Sequence, residues 1–446
     1  MKLYRVRPAQ RLLLLTLCLV LVACAVAIAE GIWPELDGRL SSLGGMLLAL
    51  FVTLAVLDLV QARRLPPISL ERLLPGSLAL GQWHQARLRI QHRLTRAAAV
   101  EVFDHCPAAC EAEGLPLRVE LQPGKTAEIR YRLRPLTRGL AVFPGVELRI
   151  GSTFGLWDLQ FYEPAQTDTR IYPNFAALAR YDLLAADPNT RIGIRRGPRR
   201  GTGTEFHQLR EYQTGDVLRQ VDWKATSRRL QLISREYQTE RDQQLVLMLD
   251  GGRRLRARDG DLSHFDQALN ASLMLAYVAL RQGDAVGMMS FGRDTRWVPA
   301  VKGAANLHRL LNGFYDLHAG AFASDYLAAA QQLMERQRKR ALIVLVTDLR
   351  DEDCEDVLLG IRLLRRRHLV LVANLRERAL DQVLQAPVEE FDAALRYCGT
   401  VSYLEQRRKM QERLQAESVM VLDCGPNELQ SQVINRYLQV KRAGLL

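Results

Sequence analysis

The 446-residue sequence lacks the short motifs that usually mark an enzyme or a metalloprotein. Its seven cysteines form no CxxC pair, which argues against a zinc ribbon and gives no sign of a disulfide framework. Neither HExxH nor GxSxG occurs, and GTGTEF has two of the three glycines of a dinucleotide-binding turn. We therefore expect a protein that is not an enzyme and that needs no organic cofactor.

A phosphate-binding loop is also missing. The stretch GKT, from Gly124 to Thr126, ends like such a loop, but the residue five positions before Gly124 is Val119 instead of glycine. No strand-to-helix context surrounds it. The stretch is predicted to be a hairpin turn.

The formal net charge of +12 is spread over short basic clusters and not collected in one tail. Arg195, Arg196, Arg199 and Arg200 form one of them. A solvated or membrane-facing surface explains such clusters more often than nucleic acid does, so we expect no nucleic-acid partner. Binding of an anionic lipid or a nucleic acid through the 195–200 cluster remains an alternative function.

Two long apolar runs lie near the N-terminus, at residues 12–29 and 40–60. Each is close to the ~20 residues that a helix needs to cross the hydrocarbon of a bilayer, and Asp58 is the one acid within them. The first run resembles a signal peptide, with a cleavage site at Ala27 to Ala29. A second span that follows almost at once favours an uncleaved transmembrane hairpin.

The charges around the two runs predict how the hairpin is oriented. Basic residues flank it on both outer sides: Lys2, Arg5, Arg7 and Arg11 before it, and Arg63 and Arg64 after it. The connector EGIWPELDGR carries three acids and one arginine. The positive-inside bias therefore places both termini and the main body in the cytoplasm, with the lipid bilayer as one partner.

Beyond the second span the sequence pattern changes twice. From residue 68 to about 174, short runs alternate apolar and polar residues between turns such as PGK and FPG, which predicts a β-sandwich-like domain. From about residue 244, apolar strands alternate with helical segments, which predicts a doubly wound α/β domain. The predicted boundaries are 1–64 for the transmembrane hairpin, 65–190 for the β domain, 191–241 for a charged segment and 242–446 for the α/β domain.

Two aspartates follow apolar strands of the predicted α/β domain. Asp250 ends the run 245–249, and Asp348 follows the run 341–346. Ligands of such sheets bind beyond the carboxyl ends of the strands, at a switch in strand order. With the Ser324 hydroxyl, these carboxylates supply oxygens of the type that Mg²⁺ prefers.

The residues around Asp250 weaken this metal-site interpretation. Gly252 offers no side-chain ligand, and the Arg254 guanidinium competes for the same carboxylates or forms an ion pair with Asp250. Asp259 and Asp261 are alternative ligands, although they look more like a polar turn. The acidic run DLRDEDCED at 348–356 fits the first turn of the next helix, where the helix dipole favours acids, better than a second metal site.

The densest charged stretch runs from Gly201 to Arg229. It interleaves charged residues with Phe206, Tyr212 and Trp223, which a purely solvent-facing segment does not need. One interpretation is a docking surface, and the other is an internal salt-bridge lattice that joins the two domains. His207 is expected to be structural and not a general base.

This stretch resembles the signature of a bacterial family named domain of unknown function 58: G-x-E-F, L-R-x-Y, G-D-x-x-R and I-D-W-K-A-x-A-R. The resemblance departs from the pattern at Val221 and Ser227, and it extends to the two N-terminal spans, RGLAVFPGVELRIGSTFGLW and PNELQSQVINRYL. The matching residues, which we expect to form a partner surface, are Glu205, Phe206, Arg210, Tyr212, Gly215, Asp216, Arg219, Asp222, Trp223, Lys224 and Arg228.

The α/β part resembles the von Willebrand factor A fold, a Rossmann-type architecture. In that resemblance Asp250, Ser324 and Asp348 occupy metal-site positions, which makes Mg²⁺ the one candidate cofactor, whereas Gly252 and Arg254 do not match. Family members resemble partners of MoxR-type AAA+ ATPases. The resemblance therefore implies a membrane-anchored adaptor or assembly factor of the bacterial inner membrane, with such an ATPase or a client protein as partner. The alternative is a metal-dependent hydrolase that uses Asp250 and Asp348.

Overall fold

The computed structural model describes residues 2–32, 39–174, 205–213, 218–238 and 243–445. The chain divides into two compact units, Met1–Tyr172 and Pro173–Leu446. Each unit has its own sheets, so the two are described separately.

The first unit begins with a strand, β1 (Lys2–Pro8), and continues with two long helices, α1 (Gln10–Ile32) and α2 (Arg39–Arg63). The most apolar stretch of α1, Gln10–Ile28, is 6% buried, and that of α2, Ser41–Arg63, is 11% buried. Core helices of soluble proteins are mostly buried. These two helices are therefore candidate membrane spans by length, composition and exposure.

Short strands make up the rest of the first unit. They are β2 (Ser69–Leu73), β3 (Ser77–Ala79), β4 (His84–Gln91), β5 (Ala98–Asp104), β6 (Cys110–Glu113), β7 (Leu117–Leu121), β8 (Ala127–Pro135), β9 (Gly139–Phe143), β10 (Val146–Gly151), β11 (Trp157–Glu163) and β12 (Thr167–Tyr172). Alternate residues are buried along the longer strands, since successive side chains of a strand point to opposite faces. The predicted sheet-rich domain is confirmed.

These strands form three sheets. Their orders are β1-β11-β10-β5-β7, β2-β4-β8-β6 and β3-β12-β9. The strand β1 was not predicted: residues 2–8 pair with β11 as an antiparallel edge strand. The predicted hairpin at Gly124 to Thr126 is wrong, because the turn joins β7 to β8, which lie in different sheets. Gly124 has φ +72°, a conformation that favours glycine.

The end of α2 is fixed to the loop between β10 and β11. The Asp58 carboxylate, which is fully buried, accepts hydrogen bonds from the Ser152 hydroxyl at 2.5 Å and the Phe154 N–H at 3.1 Å. The Trp157 indole N–H donates to the Ala55 carbonyl at 2.8 Å. The stretch GSTFGLW thus holds the helix by three hydrogen bonds, of which the one to Ser152 is buried and the other two are partly buried.

The second unit alternates strands and helices over most of its length. Its elements are β13 (Glu205–Glu211), α3 (Trp223–Arg229), β14 (Ile233–Gln238), β15 (Gln244–Gly251), β16 (Arg258–Asp259), β17 (Leu262–Ser263), α4 (His264–Arg281), β18 (Ala285–Gly292), β19 (Trp297–Lys302), α5 (Leu307–Phe314), α6 (Tyr326–Arg336), β20 (Leu342–Thr347), α7 (Cys354–Arg365), β21 (Leu369–Leu375), α8 (Arg378–Gln385), α9 (Phe391–Ala416), β22 (Met420–Cys424) and α10 (Leu429–Arg442).

Six of these strands form one sheet in the order β19-β18-β15-β20-β21-β22. Neighbours pair in parallel except β19, which is an antiparallel edge strand. Leu247 packs with α4 and α10 on one face, and Val246 packs with α6 and α7 on the other. The central strand β15 is apolar on both faces because helices cover both.

Candidate functional site

The carboxyl ends of β15 and β20 lie side by side at the point where the strand order reverses. From β15 the chain passes to β18 on one side of it, and later returns to β20 on the other side. A cleft forms at such a switch point, since the two following loops run in opposite directions. Asp250 and Asp348 stand at these strand ends, and they are 0% and 1% exposed.

The Asp250 carboxylate is surrounded by hydrogen-bond donors. Its Oδ1 accepts from the Gly252 N–H at 2.8 Å and from the Ser324 hydroxyl. Its Oδ2 accepts from the Tyr326 hydroxyl at 2.9 Å and the Thr347 hydroxyl at 2.6 Å. An ionised carboxylate offers about four acceptor positions, so these four donors use its capacity.

Tyr326 is a residue of this site that the sequence did not suggest. It opens α6, and its ring packs edge-on against Phe291 with ring centroids 5.4 Å apart. Burial raises the pKa of Tyr326 well above its usual value, and the neighbouring Asp250 adds to the effect. The hydroxyl therefore stays protonated and acts as a hydrogen-bond donor to the carboxylate.

Asp348 has a different neighbour, the guanidinium of Arg407 in α9. The Arg407 Nη1 donates to Asp348 Oδ1 at 2.6 Å, and both side chains are buried. Burial lowers the pKa of Arg407, but Asp348 and Asp423 more than offset this, and the net pKa is raised. Arg407 lies 59 residues from Asp348 in the sequence and was not predicted to be part of the site.

Arg254 lies away from the carboxylate with which it was expected to pair. Its Nη2 is 2.6 Å from Glu352 and 3.3 Å from Asp353. The prediction that Arg254 pairs with Asp250 is wrong, because Arg254 binds Glu352 and Asp353 of the acidic run. The hydrogen bond from Arg254 holds the pKa of Glu352 below its usual range.

Gly252 leaves room for the side chain of Ser324. A β-carbon built on Gly252 would lie 2.1 Å from the Ser324 hydroxyl oxygen and 3.0 Å from Asp250 Oδ1. Real β-carbons essentially never approach another heavy atom so closely. A hydroxyl-bearing side chain at position 252 is therefore incompatible with Ser324 in its present place.

The remaining acids near the site also have internal partners. Asp259 lies 2.8 Å from the His264 imidazole, on the short hairpin of β16 and β17. Asp356 accepts from the Tyr326 N–H at 2.7 Å, and the acidic run leads into the first turn of α7. Within the described ranges, no three His, Cys, Asp or Glu side chains form a group that could hold a metal ion.

These contacts do not fit the Mg²⁺ site that the resemblance implies. A hard divalent cation needs about six oxygen ligands with free lone pairs. The Asp250 oxygens already accept four hydrogen bonds, and Asp348 is bound by a resident guanidinium. The chain's own donors therefore satisfy both oxygens of Asp250, and a guanidinium holds one oxygen of Asp348.

The charged segment forms a small sheet of β13 and β14, with α3 between them. Asp222 caps α3 by accepting from the N–H groups of Lys224 and Ala225, each at 3.0 Å. The Arg235 Nε lies 2.9 Å from the same carboxylate. The Ala225 N–H and the Arg235 guanidinium hold the pKa of Asp222 below its usual range.

The other signature residues differ in their surroundings, and three of them are exposed to solvent. Trp223 is 66% exposed, and Lys224 and Arg228 are also exposed. Arg210 donates to the Glu211 carbonyl at 2.9 Å, and Tyr212 is half-buried. Glu205, Phe206 and His207 lie on β13, and Arg219 lies in a short 3₁₀ turn. Gly215, Asp216 and the 195–200 arginine cluster fall outside the described ranges.

The described parts of the chain thus define a sheet-rich protein that carries two candidate membrane spans. Residues 208–416 match the model of a protein family that is described as "Protein of unknown function DUF58". This region belongs to that family, as the signature predicted.

Curated relatives share the same region at low identity. The uncharacterized protein YeaD of Bacillus subtilis (strain 168) is 22% identical over 237 residues, which are 51% of this chain and 55% of that protein. An uncharacterized protein of Mycobacterium tuberculosis (strain ATCC 25618 / H37Rv) is 26% identical over 151 residues, or 33% of this chain and 48% of that protein. The chain therefore spans about half the length of the curated relatives it matches.

A solved structure of an aerotolerance-related membrane protein from Bacteroides fragilis NCTC 9343 is also similar. It is 19% identical, with a TM-score of 0.23, and the match covers 30% of this chain and 67% of that chain.

Proposed function

We propose that the protein is a membrane-anchored adaptor or assembly factor, without enzymatic activity of its own, whose signature segment docks a partner protein. The exposure of Trp223 carries this proposal. Tryptophan is rarely left in water without a reason, and it is enriched at the energetic centres of protein interfaces. Here it is the first residue of α3, 66% exposed, next to the capping residue Asp222.

Trp223 is one of several apolar side chains that the signature segment exposes. Among the described residues of the charged segment 191–241, the others are Leu209, Leu218, Leu230 and Leu232, with exposures of 42%, 71%, 92% and 48%. Exposed Lys224, Arg228 and Arg229 are interleaved with them along the sequence. An apolar surface with a basic rim suits a partner that offers an apolar pocket with acidic edges.

The pairing of β1 with β11 supports a membrane hairpin. β1 precedes α1 and β11 follows α2, yet the two strands are hydrogen-bonded neighbours in one sheet. Two crossings of a bilayer return the chain to its starting side, which this pairing requires. Cleavage after Ala29 would remove β1 and leave the sheet without its edge strand. With the basic flanks, this favours two spans of a bacterial inner membrane and a cytoplasmic body.

The α/β sheet is the part for which we propose a von Willebrand A-like fold. Its strand order and its antiparallel edge strand support that assignment. The family resemblance then implies a MoxR-type AAA+ ATPase as the partner, or a client protein on which such an ATPase acts. The alternative, a metal-dependent hydrolase, is less well supported, because Asp250 already accepts four hydrogen bonds and Asp348 pairs with Arg407.

The test is capture of a purified MoxR-type AAA+ ATPase from the same organism by the full-length protein in detergent. Trp223→Ala should weaken capture by about 2 kcal/mol or more, roughly 30-fold in Kd, as expected for a central tryptophan. Phe391→Ala is the matched control, because Phe391 is 76% exposed on α9, outside the signature. Asp222→Asn keeps an N-cap residue while it removes the charge.

Equal loss of capture by Trp223→Ala and Phe391→Ala would show that capture depends on nonspecific hydrophobic association and not on the Trp223 surface. Undiminished capture by Trp223→Ala would refute the docking surface.

A further inference from the structure

Arg407 uses its whole guanidinium at the carboxyl edge of the six-stranded sheet. Its Nε lies 3.0 Å from Asp423 Oδ1, and its Nη1 lies 2.6 Å from Asp348 Oδ1 and 3.2 Å from the Leu349 carbonyl. Its Nη2 lies 2.6 Å from the Leu375 carbonyl and 2.9 Å from Asp423 Oδ1. Four of these contacts are hydrogen bonds and the fifth, between Nη2 and Asp423, is an ion-pair contact, so all three nitrogens of the guanidinium are used.

The contacts join three neighbouring strands. Asp348 follows β20, Leu375 ends β21, and Asp423 lies in β22. Arg407 reaches them from the part of α9 that packs against the sheet, where Met410 and Leu414 are also buried. A single positive charge is thus held by two carboxylates and two carbonyls, the oxygen ligands that a hard cation would otherwise collect.

The free oxygen at this edge also faces an arginine. In the described part of the chain, Asp348 Oδ2 is buried and has no hydrogen-bond donor, and Arg350 Nη2 lies 3.7 Å from it. A divalent cation placed on that oxygen would meet the charges of Arg350 and Arg407 at close range. Repulsion between like charges at such distances opposes its binding.

We infer that Arg407 is a resident cation that replaces a divalent metal at the strand ends. It neutralises Asp348 and Asp423 and holds the carboxyl ends of β20, β21 and β22 together. This edge of the sheet is therefore formed without metal and does not respond to Mg²⁺ or Mn²⁺. The inference is independent of the proposed partner, because it concerns contacts within the second unit alone.

Thermal unfolding of the full-length protein in detergent tests the inference, with Mg²⁺, Mn²⁺ or EDTA added. The wild-type Tm should be the same in all three. Arg407→Met leaves the buried Asp348 carboxylate and the half-buried Asp423 carboxylate without this partner, so its Tm should fall by about 6–20 °C. Adding Asp348→Asn to this variant removes one stranded charge and should restore part of the loss. Arg408→Met is the matched control, since Arg408 is the next residue on α9 but is exposed.

A wild-type Tm that rises with Mg²⁺ or Mn²⁺, and no longer does so in Asp348→Asn, would overturn the inference. So would an Arg407→Met variant with the Tm of Arg408→Met, or a double variant that recovers nothing. If Arg407→Met does not fold, Arg407→Lys serves instead. Lysine keeps the charge but loses the planar fork, so an intermediate Tm without response to metal is expected, and a wild-type Tm would count against the role of the guanidinium.

Discussion

Gly252 gives the sharpest prediction about the strand-end site. Its backbone has φ −81° and ψ −179°, which any residue adopts, so an alanine there carries no backbone strain. The cost is steric, because the new β-carbon would lie 2.1 Å from the Ser324 hydroxyl oxygen and 3.2 Å from the Phe322 carbonyl oxygen. Overpacking of a well-packed site costs about 1–3 kcal/mol. Gly252→Ala should therefore lower the Tm by roughly 2–12 °C.

A double-mutant cycle with Ser324→Ala shows whether the clash is the cause. Ser324→Ala removes the oxygen that the alanine would strike, and on its own it costs about 1.5–3 kcal/mol for a hydrogen bond lost from Asp250. In the Ser324→Ala background, Gly252→Ala should cost less, because only the approaches to Asp250 Oδ1 at 3.0 Å and the Phe322 carbonyl oxygen at 3.2 Å remain. The coupling energy between the two sites should thus be about 1–3 kcal/mol in favour of the double variant. Denaturant unfolding of the four proteins measures it.

Additive effects of the two substitutions would refute this account of Gly252. The metal-site interpretation makes the opposite prediction for Gly252→Ser: a serine that completed the site would stabilise the protein when Mg²⁺ is added. A destabilised Gly252→Ser that ignores Mg²⁺ is the result that the geometry requires.

Two further outcomes follow from buried polar groups. Asp58→Ala leaves the Ser152 hydroxyl and the Phe154 N–H without their acceptor, so it should lower the free energy of unfolding in detergent by about 1.5–3 kcal/mol. Thr53→Val is the control, because it loses one exposed hydrogen bond within α2 and should lower stability little. Equal effects of the two substitutions would contradict the docking of α2 on the sheet. Burial, with help from Arg367, lowers the pKa of His368 below its ordinary value of 6.5. As the pH falls below about 6.5, the His368 imidazole is therefore protonated in the unfolded chain before it is protonated in the folded chain, so the free energy of unfolding decreases there. In His368→Leu that loss should be smaller between about pH 7.5 and pH 5.5, and parallel Tm–pH curves for the two proteins would argue against it.

The strands and helices of the second unit were largely predictable because their signals are local. The apolar run 245–249 falls within β15, and the run 341–346 overlaps β20 except at residue 341. A run of consecutive apolar residues between turns is typical of a strand that is buried on both faces, and nothing outside the run is needed to recognise it.

The contacts that decide the chemistry of the site are not local. Tyr326 and Thr347 lie 76 and 97 residues from the Asp250 that they bind. No sequence pattern around a tyrosine at the start of a helix, or around an arginine within one, predicts which distant residue it will bind. β1 was missed for the same reason, since its partner strand lies beyond both apolar helices.

Gly252 and Arg254 depart from the metal-site pattern, and each departure has its own counterpart elsewhere in the fold. Position 252 carries no side chain because the Ser324 hydroxyl occupies that space and donates to Asp250 in its place. Arg254 does not crowd the carboxylate, because Glu352 and Asp353 hold it at the acidic run. A site that had merely decayed would leave buried carboxylates without partners, which is costly, whereas here both acids are bound by other residues of the chain. The carboxylates at the strand ends therefore bind neighbouring elements of the same domain to the sheet. An adaptor built on this sheet would have to present its partner with a different surface, and Trp223 with its exposed leucines is the one that we propose.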